Sequence, residues 1–151
     1  GMSLPEVGNL FSLMYAVSII GPFSLLFLAR VVGVRAILFW SLAVAGIFNW
    51  LFTVSAGNAM QFSVGIIAWA VFFFIAFAQI NAVAAQVDRS GRLASAVGSA
   101  FIGGITIAPF IGGSLVDAGG YSWLGAAEIT LTVVIGIVVL IGIPKYIDKI
   151  G

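Results

Sequence analysis

The chain has 151 residues, of which 62% are hydrophobic and 7% charged, whereas an ordinary soluble domain carries about 25% charged side chains. A mean hydropathy of +1.25, with 13 Phe and 4 Trp, is that of a polytopic membrane protein and excludes disorder, collagen, a coiled coil and a disulfide scaffold. With no Cys and no His, thiol nucleophiles, Cys/His metal sites, imidazole bases and Ser-His-Asp arrangements are excluded, and a formal charge of +1 offers no surface to nucleic acid.

Five long apolar stretches follow in chain order: Leu10 to Leu28, Ala36 to Val54, Phe62 to Ala85, Leu93 to Val116 and Trp123 to Ile143. Each has about the 20 residues that cross a hydrocarbon core. They are too long and too uniformly apolar for barrel strands, which run about 10 residues with alternating polarity. The expected fold is therefore an all-α membrane protein with five transmembrane helices in a single domain over residues 1–151. The connections are short: Ala29 to Arg35, Ser55 to Gln61, Gln86 to Arg92 and Asp117 to Ser122.

All six cations fall at alternate connections: Arg30 and Arg35 in the first, Arg89 and Arg92 in the third, Lys145 and Lys149 after the last span. The positive-inside rule places those connections and the C-terminus in the cytoplasm, and the N-terminal residue outside. Residues Gly1 to Asn9 lack the features of a signal peptide. The expectation is thus a fragment, with one inside-to-outside helix missing ahead of Gly1 that would complete six spans.

In the first span Pro22 frees the carbonyl of Ser18, and Tyr15 and Ser18 read as sharing a face. The third span places Trp69, Phe73 and Phe77 at helical spacing, either as packing or as the wall of a pocket for an apolar compound. Gln79, near its cytoplasmic end, needs a polar partner and is expected to face the bundle. In the fourth span Ala96, Ala100, Gly104, Ala108 and Gly112 recur every four residues as a small-residue ridge that another helix can approach closely. Beside it run Ser95, Ser99, Thr106 and Pro109, and Pro109 leaves the Ile105 carbonyl without its donor. A tightly packed kinked helix and a bend that gates a pathway are both compatible with this pattern. Glu128 is the one charged residue within a span, a candidate for proton coupling or an interfacial anchor beside Tyr121 and Trp123. The string Asp88-Arg89-Ser90-Gly91-Arg92 reads as a solvated turn whose charges can pair with one another or meet helix ends.

These residues together resemble the second half of a major facilitator superfamily transporter, starting just before its eighth helix. Leu28, Gly33 and Arg35 fit the family's Gly-x-Leu-x-Asp-Arg-x-Gly-Arg-Arg loop, while Arg30 stands where the family carries Asp, so the role of that Asp is not transferred. Ala108-Pro109-Phe110-Ile111-Gly112-Gly113 is similar to the Gly-Pro-x-x-Gly-Gly motif of the fifth or eleventh helix, with Ala108 in place of the first Gly. The loop from Asp88 to Arg92 resembles the connection before the eleventh helix in bacterial efflux members.

The resemblance implies a partial six-helix half of that fold. It makes Tyr15, Ser18, Trp69, Phe73, Gln79, Ser99 and Thr106 pathway residues, and demotes Glu128 as peripheral. The implied function is a secondary transporter of the cell (inner) membrane, exporting small organic molecules by alternating access coupled to an ion gradient. The expected partners are the lipid bilayer, a small-molecule substrate, and the missing N-terminal helices of the same carrier or a partner membrane protein. No nucleic acid, metal or cofactor is expected. A second reading is a non-transporting membrane subunit or truncated product that packs against partner helices through the ridge from Ala96 to Gly112. An enzyme is not expected, because paired catalytic groups cannot be assembled in these spans.

Overall fold

The computed structural model describes residues 2–55 and 57–142. They form α1 (Leu4–Ser18), α2 (Ile20–Val31), α3 (Val34–Thr53), α4 (Ala59–Val87) and α5 (Arg92–Gly142), with no strand among the described residues. Four helical stretches are long and apolar enough to cross a membrane: Leu4–Val31, Val34–Thr53, Ala59–Val87 and Arg92–Gly142. Lys145 and Lys149 lie outside the described residues.

Local chemistry sets the helix ends. Glu6 accepts from the Ser3 amide at 2.7 Å, as in a capping box, and fixes the start of α1. Asn58 caps α4 by accepting from the Gln61 amide at 3.0 Å, while Gln61 Nε2 donates to the Leu51 carbonyl at 2.9 Å and ties the turn to α3. The apolar rod Leu4–Val31 is interrupted at Ile19, three residues ahead of Pro22, where the missing proline amide leaves the Ser18 carbonyl without its helical donor.

The helices outrun the expected spans, and the connections shrink accordingly. Between α2 and α3 only Val32 and Gly33 remain of the segment from Ala29 to Arg35. Hydropathy marks the part of a helix that suits hydrocarbon, but polar flanks such as Glu6, Gln86 and Asp117 continue the same backbone hydrogen bonding. The largest difference is at α5. The spans expected at 93–116 and 123–143 lie in one 51-residue element, broken only at Gly119 (φ −156°, ψ 17°) and Gly120 (φ 73°, ψ −173°). Asp117, Tyr121 and Ser122 are compatible with helix, so the predicted six-residue connection reduces to two glycines.

Packing shows what the break does. The first arm of α5, residues 92–118, meets α4 through Phe101, whose ring lies 4.6 Å from Phe77 and 6.0 Å from Phe73. The second arm, residues 121–142, lies along α3 in opposite direction. A Cβ at Gly125 would meet Trp50 and Val54, one at Gly46 would meet Thr132, and one at Gly136 would meet Phe39. Arg35, at the start of α3, donates to the Leu140 carbonyl. A Cβ on Gly112 would also lie 3.9 Å from Leu124 Cδ1, whereas twelve residues of straight helix span about 18 Å. The chain therefore turns back on itself at Gly119 and Gly120.

Helix α4 packs against all the others. Leu10 and Met14 of α1 cluster with Ile66 and Ala70 at one end. At the other end, Val34, Leu38 and Val139 cluster with Ile80 and Val83. Large apolar side chains including Phe23, Phe27, Trp40, Ile102 and Phe110 are exposed around the outside. Helices that are apolar all round suit lipid and not water.

Candidate functional site

The aromatic row on α4 is a packed ladder. Trp69 and Phe73 stack at 5.2 Å and Phe73 and Phe77 at 6.2 Å. Phe52 of α3 meets Trp69 edge-on at 5.9 Å, and Phe101 closes the other side. Phe52 and Phe101, absent from the sequence reading, pack on the row from α3 and from the first arm of α5. The stripe thus holds three helices together, with ring pairs in the offset and edge geometries that aromatic quadrupoles favour.

The other sequence-derived pathway residues do not converge. Ser18 is 5% exposed, on the buried row that runs from Leu10 through Met14, whereas Tyr15 is 60% exposed. The shared face expected for the two is corrected: positions spaced by four turn inward here, and 15 falls off that row. The Ser18 hydroxyl donates to the Tyr15 carbonyl at 2.7 Å, so it serves the helix backbone. Gln79 is 5% exposed and stands one turn beyond Ile75, which abuts Gly21 of α2; it faces the bundle, as expected for an amide in an apolar setting. Ser99 and Thr106 are exposed, and the Thr106 hydroxyl donates to the Ile102 carbonyl at 2.9 Å.

The ridge of Ala96, Ala100, Gly104, Ala108 and Gly112 is also largely exposed. A Cβ added at Gly98, Gly103, Gly104 or Gly113 would meet nothing within 4 Å, and Pro109 is exposed on the same arm. Among the described residues, close helix approach occurs elsewhere, at Gly21, Gly46 and Gly65.

A second polar locus was legible only as a lone carboxylate. Glu128 projects from the second arm of α5 toward α3, where the Thr53 hydroxyl donates to Oε1 at 3.2 Å. Its other oxygen, Oε2, is buried and has no hydrogen-bond partner. The side chain is turned toward α3, on the row of α5 that also carries Gly125, Thr132 and Gly136. Glu128 borders a cleft of about 400 Å³ with Phe52, Thr53, Phe62, Tyr121 and Leu124 on its walls. None of its lining residues is basic. The described arginines sit at the far end of the bundle, where α2 meets α3 and α4 meets α5.

At that far end, Asp88 acts as a backbone clamp and not as an ion-pair partner of Arg89 or Arg92. Its Oδ1 accepts from the Ser90 amide at 2.9 Å and the Ser90 hydroxyl at 2.6 Å, and its Oδ2 accepts from the Leu93 amide at 2.9 Å. The last bond satisfies an otherwise unbonded donor in the first turn of α5. Gly91, at φ 79°, supplies the left-handed residue that brings the chain around. Donation from Ser90 first, and then from the Leu93 amide, holds the Asp88 carboxyl below its ordinary 3.8. A depressed carboxyl stabilises the fold above its unfolded pKa, and this contribution disappears as pH falls through the lower folded value. Protection of the Ser90 and Leu93 amides from hydrogen exchange, corrected for intrinsic rate, should therefore persist at pH 5 and decline only in strong acid. In Asp88→Ala it should be low throughout, with fraying confined to the first turn of α5.

No family model, curated protein or solved structure matches this chain.

Proposed function

We propose that the chain supplies five membrane passes of the C-terminal half of a secondary transporter of the major facilitator type. The passes are Leu4–Val31, Val34–Thr53, Ala59–Val87 and the two arms of α5, with the arginine end in the cytoplasm of a cell (inner) membrane. The carrier exports small organic molecules by alternating access coupled to an ion gradient, two helical halves rocking about a central site. The observation that carries this reading is the first arm of α5, where Ala96, Ala100, Gly104 and Ala108 of the small-residue ridge and the hydroxyl-bearing Ser99 and Thr106 are exposed, and a Cβ added at Gly104 would meet nothing within 4 Å. Ridges of this kind let helices approach closely in lipid. A half-carrier exposes such a face toward its other half, and exposed Tyr15 belongs with it on this reading.

The test is transport by the full-length polypeptide in inverted membrane vesicles, with ethidium as the probe. Energised vesicles should accumulate ethidium, an uncoupler should abolish accumulation, and Gly104→Leu should abolish it while leaving membrane insertion intact. The ridge equally favours a non-transporting subunit. That reading predicts no uncoupler-sensitive uptake, together with cross-linking from position 104 to another membrane protein.

A further inference from the structure

We infer that the hollow between α3 and the second arm of α5 holds one acyl chain of an anionic glycerophospholipid, with the lipid phosphate beside Arg35. The site does not depend on whether the chain transports. Its apolar part is a cavity of about 310 Å³, walled by Phe39, Ala43 and Ile47 of α3 and by Val133, Gly136 and Leu140 of α5. Ala43 and Gly136 carry too little side chain to fill it. The one hydroxyl in the lining, on Thr132, already donates to the Glu128 carbonyl at 2.8 Å, so the walls call for an apolar occupant. The hollow opens at the surface, where Ile47, Val133 and Ile137 are exposed. In a helix long and apolar enough to cross a membrane, that surface meets lipid.

Depth and charge select the lipid. From Phe39 to Ile47 the hollow runs about 12 Å along α3, close to one leaflet of a hydrocarbon core about 30 Å thick, and it begins one turn from Arg35. Positions 35, 39, 43 and 47 are spaced by four, so Arg35 heads the row that forms the α3 wall. The guanidinium also reaches across the seam and donates to the carbonyl of Leu140, which closes the α5 wall. A neutral carbonyl leaves its charge in place. No acidic residue lines the hollow, and Glu128 precedes Leu140 by twelve residues, about 18 Å along the helix. Beyond Gly142 the sequence adds Lys145 and Lys149 against one acid, Asp148. An apolar slot one leaflet deep with a cation at its mouth suits an acyl chain under an anionic head, and guanidinium is the side chain best matched to phosphate. Basic positions between membrane helices take such head groups.

The experiment titrates the full-length protein in detergent with dioleoylphosphatidylglycerol or dioleoylphosphatidylcholine, which share their chains and differ in head charge, and reads the lipid-bound species by native mass spectrometry. The first phosphatidylglycerol should bind about fivefold tighter than phosphatidylcholine. Glycerol 3-phosphate, a head without chains, should not displace it. Arg35→Gln should bring the two lipids level and Arg35→Lys should keep the preference, while Arg89→Gln, at the other arginine-bearing connection of the same end, should leave it unchanged. Ala43→Phe, which fills the hollow and leaves the arginine in place, should abolish the tighter binding with the thermal midpoint unchanged. The site is overturned by equal binding of the two lipids to wild type, by displacement with glycerol 3-phosphate, or by full binding in Ala43→Phe. Equal losses in Arg35→Gln and Arg89→Gln would overturn it as well, since they would mean attraction to charge without a site. So would a dimer free of lipid, in which a second copy covers the hollow.

Discussion

Gly120→Val is expected to undo the reversal in α5 and release its second arm from α3. Gly120 combines φ 73° with ψ −173°, a region essentially closed to residues with a Cβ. Forcing one into it costs about 1–3 kcal/mol. The neighbouring position offers no escape, because a Cβ at Gly119 would collide with the indole of Trp123. The loss should appear as a fall of about 3–10 °C in the thermal midpoint of the detergent-solubilised protein. It should also appear as a change in proximity. The natural sequence has no Cys, so Phe39→Cys and Gly136→Cys can be introduced as a pair without background. A Cβ added at Gly136 would lie 3.5 Å from the Phe39 ring, and a short bis-thiosulfonate reagent should link the two in high yield. In the Gly120→Val background that yield should collapse. An unchanged yield and midpoint would show that the turn does not depend on the left-handed glycine.

The same glycine pair marks where the sequence was readable and where it was not. Apolar windows located the four long helical stretches and the alternation of arginine-bearing connections, because lipid-compatible length and charge placement are properties of the sequence itself. They could not say how far each helix continues beyond hydrocarbon, since Glu6, Gln86 and Asp117 are polar yet helix-competent. Pro22 was read as freeing the Ser18 carbonyl, and α1 and α2 part at Ile19. Pro109 produced no comparable break, for the element runs on through it. The Trp69, Phe73 and Phe77 row was visible from its spacing. Its partners Phe52 and Phe101 depend on how α3 and α5 register against α4, which a single chain does not encode locally. The pairing of Thr53 with Glu128 spans 75 positions and left no trace beyond an isolated acidic residue in an apolar run. Small-residue periodicity was the least specific signal. It drew attention to the ridge from Ala96 to Gly112, while the contacts made within the chain use glycines outside any repeat.

Of those contacts, the one at Gly46 should be the most sensitive to added volume. Gly46 is buried on α3, and a Cβ there would overlap Thr132 Cγ2 and Oγ1 and lie 2.8 Å from Thr132 Cβ. These atoms cannot rotate freely out of the way. A β-branched side chain has few rotamers in a helix, and the Thr132 hydroxyl already donates to the Glu128 carbonyl at 2.8 Å. Gly46→Leu should therefore push the second arm of α5 away from α3 and destabilise the protein by about 3 kcal/mol, the upper part of the usual range for overpacking. Gly46→Ala should cost less, and its cost should depend on Thr132. Thr132→Ala removes two of the three overlapping atoms, so the double variant should recover about half of the stability lost by Gly46→Ala alone, a coupling readable in a double-mutant cycle. Thermal unfolding of the four proteins in one detergent measures it. Strict additivity would mean that α3 and the second arm of α5 do not meet at this pair.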